Sequence, residues 1–148
     1  MTMKKIGLIA LILLILAVAA AFIVYKYVYN KPHPDYVKEK ADVSIAAKRL
    51  WTDYSMNKDI ADPKYTGKVI EVEGSIMRVE TVGNLVIVVF AFRKGDFGDE
   101  GIRVTMLPEY HQAAKGINPF KTIKIKGLCT GYNGQDVIME DGSIVGNQ

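Results

Sequence analysis

The residues able to do chemistry are few and scattered. His33 and His111 stand far apart, and neither has a second histidine or a cysteine at ligand spacing, so no zinc site is expected. Cys129 is the only cysteine, which rules out an intramolecular disulfide. No pattern around it would lower its pKa, and it reads as a buried structural thiol. Ser55, Ser75 and Ser143 lack the setting of a nucleophile elbow. The segment Gly95-Asp96-Phe97-Gly98-Asp99-Glu100-Gly101 holds three acidic groups, but not at the spacing of a calcium loop. It reads as a solvated hairpin loop, and its Asp-Phe-Gly has no other kinase element around it. The expectation is a protein that is not an enzyme and takes no metal and no cofactor.

Location is easier to read. From Ile6 to Tyr25 no residue is charged, and Lys4, Lys5 and Lys26 bracket the run. Twenty helical residues rise about 30 Å, the thickness of a bilayer's hydrocarbon. The competing reading is a cleaved signal peptide, since Ala17-Val18-Ala19 and Ala19-Ala20-Ala21 fit a small-x-small cleavage site. Retention is favoured, because Phe22-Ile23-Val24-Tyr25 continue the apolar run past those sites. Tyr25, Tyr27 and Tyr29 suit an interfacial aromatic belt. Lys4, Lys5 and the amino terminus favour a cytoplasmic start, while Lys26, Lys31, Lys38 and Lys40 pull the other way. A short charged tail is hard to translocate, so the expectation is a single-pass protein of the cytoplasmic membrane with its C-terminal domain outside the cytoplasm.

The three lysines flanking the apolar run account for the whole net charge of +3. The remainder is formally neutral and lacks the broad positive field that drives nucleic-acid binding. The 148 residues leave room for one small domain beyond the anchor.

The organisation expected is an anchor over 1–30, a linker over 31–35 containing Pro32 and Pro34, an amphipathic helix over 36–60, and a β domain over 61–148. Val43, Ala47, Leu50 and Tyr54 recur at helical spacing between Tyr36 and Asn57, and Pro63 is expected to prevent further helix. From Lys68 the period becomes two. Val69 to Val79 reads as a strand bent at Gly74. Leu85 to Phe92 is a continuous β-branched and aromatic run, expected to be buried on both faces. Arg93 to Glu100 reads as a polar loop, and Gly101 to Leu107 as a half-buried strand. Pro108 opens a short helix that ends before Gly116. Strands over Thr122–Cys129 and Val137–Val145 flank a turn at Asn133-Gly134.

Five strands with a helix between the third and fourth is the order of an OB-fold, a five-stranded Greek-key barrel. The bent first strand fits, because it must serve both sheets of so small a barrel. The fold class expected is therefore mainly β, a barrel behind a transmembrane helix and one amphipathic helix.

The segment Ala61-Asp62-Pro63-Lys64-Tyr65-Thr66-Gly67-Lys68-Val69-Ile70-Glu71-Val72-Glu73-Gly74, with Asn57 ahead of it, resembles the opening of the bacterial tRNA_anti-like OB-fold domains. Ile125-Lys126-Gly127-Leu128-Cys129-Thr130-Gly131 is similar to the fourth strand of that family. The resemblance covers about residues 44–145. It implies the fold and a tethered domain with no established reaction. In the motif itself, Tyr65 and Val69 are expected to plug the barrel, and Lys64 and Lys68 to be solvated.

OB-folds bind on the face of their second and third strands and on the flanking loops. Here that selects Arg78, Phe90, Phe92, Arg93, Arg103 and Tyr132 as the candidate ligand surface. Basic groups beside aromatics could hold a nucleic-acid single strand by charge and stacking; the same aromatics could equally be core. The expected partners are the membrane and a protein, peptide or saccharide. A single-stranded nucleic acid is the alternative.

Overall fold

A computed structural model describes residues 2–29 and 36–146. The chain divides into two compact units, Met1–Pro34 and Asp35–Gln148.

In the first unit, α1 covers Met3–Val24 and continues into a π-helical turn, Tyr25–Tyr29. Its 22 residues rise about 33 Å. No side chain of α1 is buried within the protein. A helix apolar on every side is suited to lipid, as an anchor or as a signal segment. The linker expected over 31–35, with Pro32, His33 and Pro34, lies outside the described residues.

The second unit opens with a correction. The helix expected over Tyr36–Asn57 is confined to α2, Ala47–Met56, and Val43–Ala46 forms strand β1. Val43 and Ile45 alternate with Ser44 and Ala46, a period of two hidden inside the helical stripe. Tertiary pairing decides between the two periods. β1 runs parallel to β2, Val69–Ser75, with Val43 opposite Ile70 and Ile45 opposite Val72. Asp42 fixes the register, because its carboxylate accepts the Val69 N–H at 2.9 Å.

Pro63 does not stop the second helix either. α3 covers Lys58–Tyr65 with Pro63 inside it. Proline deprives only the carbonyl four residues back of a donor. That residue is the exposed Asp59, whose carbonyl water can serve. The Asn57 side chain caps the helix by accepting the Ile60 N–H.

The barrel follows as β2, β3 (Arg78–Val82), β4 (Leu85–Gly95), β5 (Gly98–Met106), β6 (Thr122–Tyr132) and β7 (Val137–Ile144). A helical turn, Pro108–Tyr110, and the short α4, His111–Lys115, sit between β5 and β6. Seven strands stand where five were expected. One extra strand is β1. The other arises because the bent strand divides in two: β2 pairs with β6, and β3 pairs with β4. The bend is at Ile76–Met77 rather than at Gly74. Ile76 donates to the Lys121 carbonyl on the β6 side, and Met77 donates to the Val89 carbonyl on β4. The strand order β1-β2-β6-β7-β5-β4-β3 is therefore joined end to end through this one chain segment. That is the OB-fold closure, completed by the parallel pair of β5 and β7.

The core follows the period of two. Ile70, Val72, Ile76, Val86, Val88, Phe90, Ile102, Val104, Ile125, Cys129, Val137 and Met139 fill the interior. α2 adds Leu50, Trp51 and Tyr54, and Tyr65 joins the core as expected, whereas Val69 is buried outside the core cluster, on the strand face opposite Ile70 and Val72, which corrects its expected place in the barrel. The polar loop expected over Arg93–Glu100 is instead the continuation of β4 and β5 around a tight turn at Asp96–Phe97.

Candidate functional site

The outer face of β3, β4 and β5 is built from the residues that alternate with the core. Arg78 lies opposite Val89, Val89 opposite Arg103, and Arg103 opposite Ile138. In the next row Glu80 faces Ile87, and Ile87 faces Thr105. Two arginines thus flank a valine that is only 2% exposed. This explains why β4 is buried on both faces at Val88–Phe90.

These arginines are already in use. Arg78 donates from Nε to Glu80 at 2.7 Å and from Nη1 to Asp99 at 2.8 Å. Arg103 donates from Nη1 to Glu80 at 2.8 Å and from Nε to Asp136 at 2.9 Å. The result is an alternating chain of charges, Asp99–Arg78–Glu80–Arg103–Asp136, running from the β4–β5 hairpin to the start of β7. Burial pushes the Glu80 carboxyl up, but the hydrogen bond from Arg78 and the charge of Arg103 outweigh it and leave it below its usual range.

Asp136 anchors the far end. Its second oxygen accepts the Gly101 N–H at 2.8 Å. A side chain at position 101 could not be housed, since a Cβ there would meet the Phe90 carbonyl oxygen at 1.8 Å. Asn133 shapes the turn before Asp136 by accepting the N–H groups of Gln135 and Asp136.

The six residues selected from the sequence therefore divide three ways. Arg78 and Arg103 share the outer face. Phe90 is fully buried in the barrel, which corrects its assignment to that face. Phe92, Arg93 and Tyr132 gather instead beside α2. Phe92 is the residue left without a partner where the pairing of β4 with β5 shifts register, and its ring lies 5.9 Å from that of Trp51. The Arg93 guanidinium lies 5.2 Å over the Trp51 ring and donates to Glu100 at 2.7 Å. Tyr132 stacks on Tyr54 at 5.7 Å. Trp51 donates its indole N–H to the Gln135 carbonyl at 3.0 Å, tying α2 to the β6–β7 turn.

Glu80, Asp99, Asp136 and Trp51 complete these clusters; of the three carboxylates only Asp99 lies in a segment with an expectation attached, that of a solvated loop. The Arg78-x-Glu80 spacing was a usable signal, since residues two apart share a strand face. Asp99 and Asp136 sit next to turns and carried none.

The family-like motif proves to be a folding device. Tyr65 donates to Asp53 at 2.6 Å, and Asp62 accepts from Lys58 and Thr66. Gly67, at φ +80°, turns the chain into β2. Burial raises the Asp53 carboxyl, but the bonds from Tyr65 and Arg49 outweigh it and hold it low. Cys129 is buried, with its Sγ 3.5 Å from the Tyr54 hydroxyl, and burial pushes the thiol pKa up. His111 contacts the Met106 carbonyl through Nε2 at 3.1 Å. Among the described residues no cluster of His, Cys, Asp or Glu could hold a metal ion.

A family model described as tRNA_anti-like matches residues 1–143. Among the curated proteins compared, none matches the chain in sequence. A solved structure from Klebsiella pneumoniae subsp. pneumoniae MGH 78578, a lipoprotein provisionally described as nucleic acid-binding, superposes with a TM-score of 0.54 at 13% identity, covering 78% of this chain and all of its own. It shares the fold. Two aspartyl-tRNA synthetases superpose less well. The Leishmania major Friedlin protein, provisionally so described, has a TM-score of 0.45 at 11% identity, covering 88% of this chain and 26% of its own. The Entamoeba histolytica enzyme has a TM-score of 0.44 at 15% identity, covering 80% of this chain and 24% of its own. The present chain spans about a quarter of the length of each synthetase.

Proposed function

The chain belongs to the tRNA_anti-like family, and from that premise we propose that it is a membrane-tethered, non-enzymatic OB-fold module that binds a protein, a peptide or a saccharide. One observation carries the reading. Each arginine of the candidate surface is paired with carboxylates of its own chain: Arg78 with Glu80 and Asp99, Arg103 with Glu80 and Asp136, and Arg93 with Glu100. A phosphate backbone binds by displacing counterions from free cations. Here it would first have to break carboxylate pairs. The Arg78 and Arg103 bonds use Nε and Nη1, which leaves each Nη2 for neutral acceptors such as a peptide carbonyl or a sugar hydroxyl.

In this reading α1 stays in the cytoplasmic membrane and holds the domain on its outer side. A photo-crosslinking residue placed at Thr105, beside Arg103 on the outer face, tests the ligand class in cells. The expected result is an adduct resistant to nuclease. An adduct lost on nuclease treatment, or no adduct at all, contradicts the proposal. A phosphatase reporter joined after Gln148 is expected to be active.

A second reading, single-stranded nucleic acid bound in the cytoplasm, draws on the provisional description of the Klebsiella relative and on the Arg93–Trp51 pair. Stacking of bases needs an open ring face. Trp51 is 7% exposed, so α2 would have to move for its ring to serve. An inactive phosphatase reporter would favour this reading.

A further inference from the structure

Phe120 stands in a conformation that its side chain opposes. The turn Asn118-Pro119-Phe120-Lys121 closes with the Lys121 N–H on the Asn118 carbonyl at 3.2 Å, and Phe120 takes φ +65°. Glycine or asparagine is the usual occupant of such a position, and a bulky residue there is an outlier. The backbone explains the φ, because it delivers the Phe120 N–H to the Ile76 carbonyl at 2.7 Å, where the barrel strand bends. It does not explain the phenyl ring. Burial does not offset the strain, since Phe120 is 73% exposed. A strained, exposed aromatic that the turn does not require points to a use outside the fold.

Two residues of the turn, Asn118 and Lys121, line a groove of about 600 Å³ between the end of α4, the start of β6 and the end of β7, and Phe120 lies between them in sequence without lining it. Ile117, Ile123 and Ile144 supply its apolar part, and Lys121 and Lys124 its charge. Glu73 partly answers Lys124 at 3.7 Å. Among the described residues no carboxylate pairs with Lys121. We infer that this groove, with Phe120 in the turn between its lining residues Asn118 and Lys121, is a second docking site, which takes an acidic peptide segment of a protein partner, an aliphatic side chain entering among Ile117, Ile123 and Ile144, a carboxylate meeting Lys121 and the exposed Phe120 ring packing on the segment from outside the groove. Among the described lining residues two lysines stand against the single carboxylate of Glu73, and surplus positive charge beside apolar walls selects that chemistry over a neutral or basic segment. The site uses none of the residues of the β3–β4–β5 face, so it stands whether or not the reading of that face holds.

Phage-displayed random peptides panned on the full-length chain in lipid nanodiscs test the site. The expected result is enrichment of sequences with Asp or Glu next to Leu, Ile or Val. Phe120→Asn should weaken the enriched peptides about tenfold or more. Lys121→Glu should weaken them as well. Asparagine tolerates positive φ, so Phe120→Asn should leave Tm within about 2 °C of the parent or above it. Three results overturn the inference: no enrichment or neutral and basic sequences, equal binding to Phe120→Asn, or a fall in Tm of more than about 5 °C, which would make the ring a structural group.

Discussion

Arg103 joins Glu80 to Asp136 across β5, with its Nη1 2.8 Å from one carboxylate and its Nε 2.9 Å from the other. The two contacts differ in burial. Asp136 has a side chain only 9% exposed, whereas Glu80 is 27% exposed. Removing Arg103 therefore strands one carboxylate away from water. Arg103→Met is expected to cost about 2–3 kcal/mol. Arg78→Met, whose partners are more open to solvent, should cost under about 1 kcal/mol. Urea unfolding of the full chain in micelles, followed by the fluorescence of the single tryptophan Trp51, measures both. Equal losses would contradict the ranking.

The Gly101 site tests the close approach of β4 and β5. Gly101→Ala forces a Cβ into the Phe90 carbonyl, a backbone atom that no side-chain rotation can clear. A loss of about 3 kcal/mol is expected in the same unfolding measurement. A variant as stable as the parent would mean that the strands are less tightly apposed than described.

Acid should weaken the fold in a definite window. Glu80 and Asp53 both have folded-state pKa values below their ordinary 4.5 and 3.8. As pH falls, the unfolded chain takes up protons first. Stability is then full above the ordinary values and is lost progressively as pH drops past them and through the folded-state values. Glu80→Gln should reduce the slope of that loss. A stability curve that stays flat down to pH 3, or an unchanged slope in Glu80→Gln, contradicts the assignment.

Cys129 should be chemically silent in the folded protein. It is fully buried, and its thiol is pushed above the ordinary 9.0. Ellman's reagent at pH 8 should leave the native chain unmodified and react fully after denaturation. Reaction of the native chain at the rate of free cysteine would show that the barrel opens there.

The parts of the fold legible in the sequence were those governed by one period at a time. The alternation through Ile102, Val104 and Met106 and through Ile123 and Ile125 marked strands, and Asn133-Gly134 marked a hairpin turn. In Val43–Ala46 a β-branched alternation lies inside a helical stripe, and only the contact with Ile70 and Val72 separates the two. Pro63 does not end its helix, because the carbonyl it leaves free lies on an exposed residue. For the candidate surface, strand alternation found Arg78 and Arg103. It could not find their partners Asp99 and Asp136, which arrive from turns distant in sequence. Phe90 and Phe92 are two apart and were assigned to one face. Both turn to the core cluster, Phe90 fully buried in it and Phe92 packed against it, while Val89 takes the place between Arg78 and Arg103.

The account turns on whether the paired arginines are free to bind a polyanion. Anisotropy of a fluorescent oligo-dT 20-mer titrated with the full-length chain in nanodiscs, at rising salt, tests this directly. The account predicts no saturable binding at physiological salt. Saturable binding that weakens steeply with salt, by a log–log slope of about −2 or steeper, and that is weakened by Arg78→Met or Arg103→Met, would mean that about three or more cations engage phosphate with the paired arginines among them, and would contradict it.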